Sequence, residues 1–144
     1  MSRFLVTGFI SMFSLVFSAT AQIKNSSMRK AKVTRHKELN VDGDSSMVYY
    51  GIASYYADKF NGRETANGEI YDSEKMTAAC NVLPLGTWIR VTNLTNNRSV
   101  VVKTNDRLHI RMKRIVDLSR AAAKKLGYIG QGLTKVRVEV LEKK

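Results

Sequence analysis

The stretch Ser99 to Arg107, SVVVKTNDR, restricts the fold more than any other part of the chain, because a short apolar run ends there abruptly in a polar cluster. Val100, Val101 and Val102, flanked by Ser99 and Lys103, have the composition of a buried β-strand and the length of a strand rather than a helix. Asn105, Asp106 and Arg107 follow where that strand is expected to leave the core. A carboxylate at a strand end, beside an amide and a guanidinium, is carried by a rigid element and still reaches a cleft. The same three residues also make an ordinary polar turn or a plain Asp106–Arg107 ion pair, and this stretch alone leaves those readings open.

A chain of 144 residues has room for one core and one domain. Its 24 lysines and arginines against 12 acidic residues give a net charge of +12, which favours an anionic partner: nucleic acid, a membrane surface or an acidic polymer. The N-terminus decides between these. Arg3 precedes an apolar run from Phe4 to Phe17, and Ala19-Thr20-Ala21 puts small residues before a cut at Gln22, the layout of a secretory signal peptide over residues 1–21. The run is too short for a comfortable membrane span, so no stable membrane anchor is expected after cleavage. An exported chain rarely meets nucleic acid. The basic charge is therefore expected to face envelope polymers, and no nucleic-acid partner is predicted.

Residues 22–46 are polar and basic with no apolar period and read as a flexible linker, so the folded domain is expected over 47–142. Met47 to Ala57, MVYYGIASYYA, predicts a strand in which Gly51 marks a bulge or a close backbone approach. Asp58 to Asp72 reads as a long loop dense in hydrogen-bonding groups, and loops of that length in a compact domain are usually functional or disordered. Thr87 to Leu94 alternates, with Ile89 and Val91 opposite Arg90 and Thr92. Asn96-Asn97 then suits a tight hairpin into the valine strand. Arg114 to Leu118 predicts a further short strand. Ser119 reads as the N-cap of a helix through RAAAKKLGY that Gly127 stops, with Lys124 and Lys125 near its C-terminus. Val136, Val138 and Val140 alternate with Lys135, Arg137 and Glu139 in a last strand. Short strands with one small helix argue for a compact β-barrel.

Cys80, the single cysteine, is either a small buried hydrophobe or a free thiol. His36 and His109 are isolated, no Cys/His cluster has zinc-site spacing, and neither a metal nor another cofactor is expected.

Three segments in order, GIASYYADKFNGRETANGEIYD, TAACNVLPLGTWIRVTNLTNNRSVVVKTNDR and RIVDLSRAAAKKLG, resemble the rare lipoprotein A family, the septal-ring type of lytic transglycosylase. The resemblance covers about Tyr50 to Leu141. It implies a mainly β fold, a six-stranded double-psi β-barrel with one or two short helices, similar to expansins and barwin-like domains. It also implies cleavage of the MurNAc–GlcNAc β-1,4 bond in peptidoglycan glycan strands poor in stem peptide, leaving 1,6-anhydromuramyl ends. In that reaction a carboxylic acid protonates the leaving glycosidic oxygen, and the resulting carboxylate takes the proton of the sugar's own 6-hydroxyl as it attacks.

The family's Glu in TANGE and Asp in NDR fall on Glu69 and Asp106, the expected catalytic pair. Asp106 leads as acid/base and Glu69 supports it, and the residues alone leave the two roles exchangeable. Asn67, Tyr71, Asn105, Arg107 and Cys80, from the same motifs, are the expected substrate-binding residues. Cys80 stands where the family has a histidine, and a thiol does not replace imidazole as a cationic donor. Leu108 and His109 replace the family's glycine and proline after NDR. With the sequence ending at Lys144, no glycan-binding repeat domain is expected after the barrel. The alternative class is a non-catalytic, expansin-like wall-binding barrel in which Tyr55, Tyr56 or Trp88 stack on sugars.

Overall fold

A computed structural model describes residues 33–39 and 45–141. The expected signal peptide, most of the expected linker and the residues beyond Leu141 lie outside them. Among the described residues, seven strands run in chain order with one α-helix between the sixth and seventh: β1 (Thr34–Leu39), β2 (Ser45–Tyr55), β3 (Thr77–Cys80), β4 (Trp88–Asn93), β5 (Ser99–Asp106), β6 (Val116–Leu118), α1 (Arg120–Leu126) and β7 (Thr134–Val140). A 3-10 turn spans Asp58–Phe60.

The sheet order β2-β6-β3-β5-β4-β7 returns to β2 through the β2–β7 pairing, so six strands close a barrel. The β2–β6 and β3–β5 pairs are parallel and the others antiparallel. Closure leaves these strands no long free edge. The interior is filled from alternating positions: Ile89 and Val91 of β4, Val100 and Val102 of β5, Val136 and Val138 of β7 are all buried. Burial of each such side chain contributes about 1.5–3 kcal/mol. β5 is not buried on both faces, as its three valines suggested. Val101 is exposed, because the barrel wall has a wet outer side.

Gly51 lies in β2 with no shift of register against β7, so the close-approach reading holds and the bulge reading does not. A Cβ at Gly51 would sit 2.9 Å from the Ile115 side chain. Ser119 caps α1 by accepting a hydrogen bond from the Ala122 N–H, and Gly127 ends it in the left-handed region at φ 78°. Ala122, Ala123 and Leu126 form its buried face. Asparagines at the end of β4 and in the β4–β5 connection do more than turn the chain: Asn93 and Asn96 both donate to the Leu126 carbonyl, satisfying the end of the helix.

The expected linker meets a strand. β1 lies within residues 22–46 and pairs antiparallel with Ser45 to Tyr50. It adds to the barrel from outside and has no apolar face to bury, so no hydrophobic period marks it. Polar contacts hold it instead: Glu38 accepts from the Tyr50 hydroxyl at 2.9 Å and from Arg137 at 2.8 Å, and the His36 ring packs edge-on against Tyr50. Charged side chains on an outer strand also discourage pairing with another chain.

Candidate active site

The parallel pair β3–β5 builds the site. Ala78 pairs with Thr104, but Ala79 pairs with Asp106, so Asn105 is an extra residue in β5. Val100, Val102 and Thr104 point inward by strict alternation, and without that bulge Asp106 would follow them. The bulge re-aims its carboxylate, a common use of this irregularity. Asp106 and Ala79 thereby face a cleft of about 560 Å³.

Both oxygens of Asp106 are engaged. Oδ2 accepts from the Tyr56 hydroxyl at 2.6 Å, while Oδ1 accepts from the backbone N–H groups of Ala66 at 2.9 Å and Arg107 at 2.8 Å. The donors come from three segments: the residue following β2, the 64–70 turn and the chain leaving β5. Tyr56 is itself held by stacking on Tyr71, with ring centroids 4.5 Å apart, and by an edge contact with Phe60. Burial, then the bond to Asp106, raises the proton affinity of the Tyr56 phenolate and keeps the hydroxyl protonated.

Arg107 does not pair with the neighbouring carboxylate. Its guanidinium donates to the carbonyls of Cys80 and Leu83, and next to it Asn81 and Leu108 exchange two hydrogen bonds through the Asn81 amide. The segment that follows Asp106 is thus fastened to the β3–β4 loop. Arg107 lines the cleft, yet its charge is committed to that clamp. This is a correction to the ion-pair reading.

Glu69 is exposed and is not among the residues lining the cleft. Its Oε2 accepts from the Asn105 side-chain amide at 3.0 Å, and this bond, followed by one from Asn67, holds its carboxyl below the usual carboxylate range. Asn67 shapes the turn, accepting from the Thr65 hydroxyl and the Glu69 N–H, and its own N–H donates to the Asn105 carbonyl. Asn105 is 3% exposed and therefore acts as a strut between the turn and β5.

Tyr71 lines the cleft wall behind Tyr56. Cys80 does not. It is fully buried in the core cluster, and burial raises its thiol proton affinity, so the small-hydrophobe reading applies and the expectation of substrate contact is corrected.

His109 lines the cleft, together with Lys59, Arg63 and Glu64. Of the three aromatics considered as sugar platforms, Tyr55 and Tyr56 line the cleft, and Trp88 is exposed elsewhere. Sequence reasoning overlooked the Tyr56–Asp106 bond and the Ala66 amide. Both depend on the bulge, which has no residue signature, although Tyr56 stands out in the sequence as a polar-tipped aromatic at a strand end. Among the described residues, no cluster of three or more His, Cys, Asp or Glu side chains is placed to hold a metal ion.

Comparison with known proteins matches residues 49–138 to the family model described as lytic transglycolase. The chain belongs to the lytic transglycolase family. The match contains β3 to β6 and reaches most of β2 and β7, and the fold is the double-psi β-barrel. Among curated relatives, the endolytic peptidoglycan transglycosylase RlpA of Haemophilus influenzae is 50% identical over 96 residues, 67% of this chain and 33% of that protein. RlpA of Neisseria meningitidis serogroup B is 39% identical over 142 residues, 94% of this chain and 59% of that protein. The chain therefore spans less than two thirds of either relative. Among solved structures, the Streptomyces papain inhibitor aligns with a TM-score of 0.53 at 22% identity, covering 66% of this chain and 94% of the inhibitor, a likeness of fold alone.

Proposed function

We propose that this lytic transglycolase-family chain is an exported peptidoglycan lytic transglycosylase, cleaving the MurNAc–GlcNAc β-1,4 bond of peptide-poor glycan strands to leave 1,6-anhydromuramyl ends. The observation that carries the reading is the bulge at Asn105, which turns the Asp106 carboxylate into an aromatic-walled cleft. Asp106 protonates the glycosidic oxygen, the C1–O bond breaks with its electron pair on the departing GlcNAc oxygen, and the 6-hydroxyl then attacks C1. The proton of that hydroxyl returns to Asp106, so acid and base are one group and no activated water is consumed. Glu69 supports the site at a distance, through the Asn105 side-chain amide that braces the turn supplying the Ala66 donor to Asp106. Residues 1–21 act as the signal peptide, which puts the barrel in the periplasm or cell envelope, where Lys59 and Arg63 at the cleft mouth suit acidic wall polymer.

A second reading, a wall-binding barrel that grips glycan without cutting it, is favoured by two observations: Glu69 lies outside the cleft lining, and Cys80 is a core residue where the family has histidine. Product chemistry separates the two. Peptide-free glycan strands are incubated with purified Gln22–Lys144 and with its Asp106→Asn and Glu69→Gln variants, and mass spectrometry reads the ends. New 1,6-anhydromuramyl ends that disappear in Asp106→Asn support the enzyme. Strands that bind and stay intact support the binding module.

A further inference from the structure

The two oxygens of Asp106 are not equivalent. Oδ1 is saturated by two backbone N–H groups, of Ala66 and Arg107, and a backbone amide only donates. A proton placed on Oδ1 would face those two donors. Oδ2 has a single protein partner, the Tyr56 hydroxyl at 2.6 Å, a length typical of a hydroxyl donating to a carboxylate. A hydroxyl both donates and accepts.

We infer that Tyr56 is the positioning residue of this site: it assigns the travelling proton to Oδ2 of Asp106 and keeps its hydrogen bond to that oxygen in both protonation states. The inference rests on the transglycosylase reading above. While Asp106 is ionised, the Tyr56 O–H donates to Oδ2. When Oδ2 carries the proton, the Tyr56 hydroxyl turns and accepts from it until the glycosidic oxygen takes that proton. The proton from the 6-hydroxyl then restores the first arrangement, with no net change at Tyr56. Its ring does not drift during the cycle, because it is stacked on the buried Tyr71 and touched edge-on by Phe60.

The other charged groups facing the cleft leave this assignment to Tyr56. Lys59, Arg63 and Glu64 come from the segment after β2, and none of them has a hydrogen bond to Asp106. Arg107 is turned to the carbonyls of Cys80 and Leu83, and His109 accepts from the Arg111 N–H. Arg114, just ahead of β6, and Asp117 within it neutralise each other in a two-bond pair at 2.8 Å.

The test is Tyr56→Phe, which keeps the ring and its stacking and deletes one oxygen. Formation of anhydromuramyl ends is expected to lose about tenfold or more in kcat, with KM within about twofold, the size of a lost hydrogen bond to a charged group. The alkaline limb of the rate profile, where the general acid is lost to ionisation, moves to higher pH. Replacing Tyr56 by 3-fluorotyrosine, a stronger donor, moves that limb the other way. An unchanged kcat and profile in both variants overturns the inference. A readout free of turnover separates it from the activity itself: the 13C carboxyl resonance of Asp106, assigned with Asp106→Asn, is followed against pH in wild type and Tyr56→Phe. A moved titration in a protein that cuts no glycan upholds the Tyr56–Oδ2 bond and removes the transglycosylase reading. An unmoved titration in an active protein removes the role given to Tyr56.

Discussion

Asp106 and Glu69 come from neighbouring pieces of one structure and are held in opposite ways. Asp106 closes a strand and accepts three hydrogen bonds, two from backbone and one from a stacked aromatic, so its position is set by rigid parts. Glu69 sits at an exposed turn and is tied by the Asn105 side-chain amide. The dipeptide Asn105-Asp106 serves both: one residue points into the cleft and the other braces the turn that supplies the Ala66 donor. A carboxylate held by backbone suits a proton that must be delivered to one place, whereas one held by a neighbouring amide suits support at a distance.

The widest contrast expected is therefore in turnover. Asp106→Asn should reduce formation of anhydromuramyl ends by about 10³-fold, within the range of a lost general acid, and Glu69→Gln by only about tenfold. Initial rates on peptide-free strands measure both, and equal losses would erase the distinction drawn between the two carboxylates.

The clamp beside Asp106 gives the next effect. Arg107→Met removes the donors to the Cys80 and Leu83 carbonyls and should cost about 2–3 kcal/mol in urea unfolding, since bonds to a charged group are involved. Its double-mutant cycle with Asp106→Asn should show coupling under about 0.5 kcal/mol. A larger favourable coupling would restore the ion pair that the geometry rejects. Behind the clamp, Cys80→Ser exchanges the buried thiol for a more polar hydroxyl in the filled core and should cost about 1–3 kcal/mol, with the native thiol inert to a soluble thiol reagent. Rapid labelling of the folded protein would show that Cys80 belongs to the cleft after all.

What could be read from residues alone follows the same physical division. Strands with one wet and one dry face announce themselves by alternation, and β4 and β7 lie where Ile89, Val91 and the valines of 136 to 140 put them. Helix α1 begins and ends at its capping residues because caps act through local backbone geometry. β3 has no such signature: Ala78, Ala79 and Cys80 are all buried, so no period distinguishes them from a loop. β1 fails for the opposite reason, having no dry face. At the site, motif resemblance led to Asp106 and Glu69. It did not reveal that a one-residue bulge sends Asp106 to the cleft and leaves Glu69 beside Asn105. Register across a parallel pair is a tertiary property, and Tyr56, fifty residues away from Asp106, becomes its partner only through closure of the barrel.

The smallest effect tests how loosely Glu69 is held. Its folded carboxyl is more acidic than in the unfolded chain, through the Asn105 bond first and the Asn67 bond second. A depressed folded value means that the stabilisation is fully present above the ordinary glutamate range, about 4.3, and is lost as pH falls through the lower folded value. Glu69→Gln should therefore be slightly less stable than wild type in urea at pH 7, and the gap should close on acidification to pH 3. Because Glu69 is exposed, solvent screening keeps the gap small, and added salt should shrink it further. A gap that persists at pH 3 would mean that the glutamate acts through shape in its turn rather than through charge on Asn105, and the two carboxylates would then differ in kind as well as in rigidity.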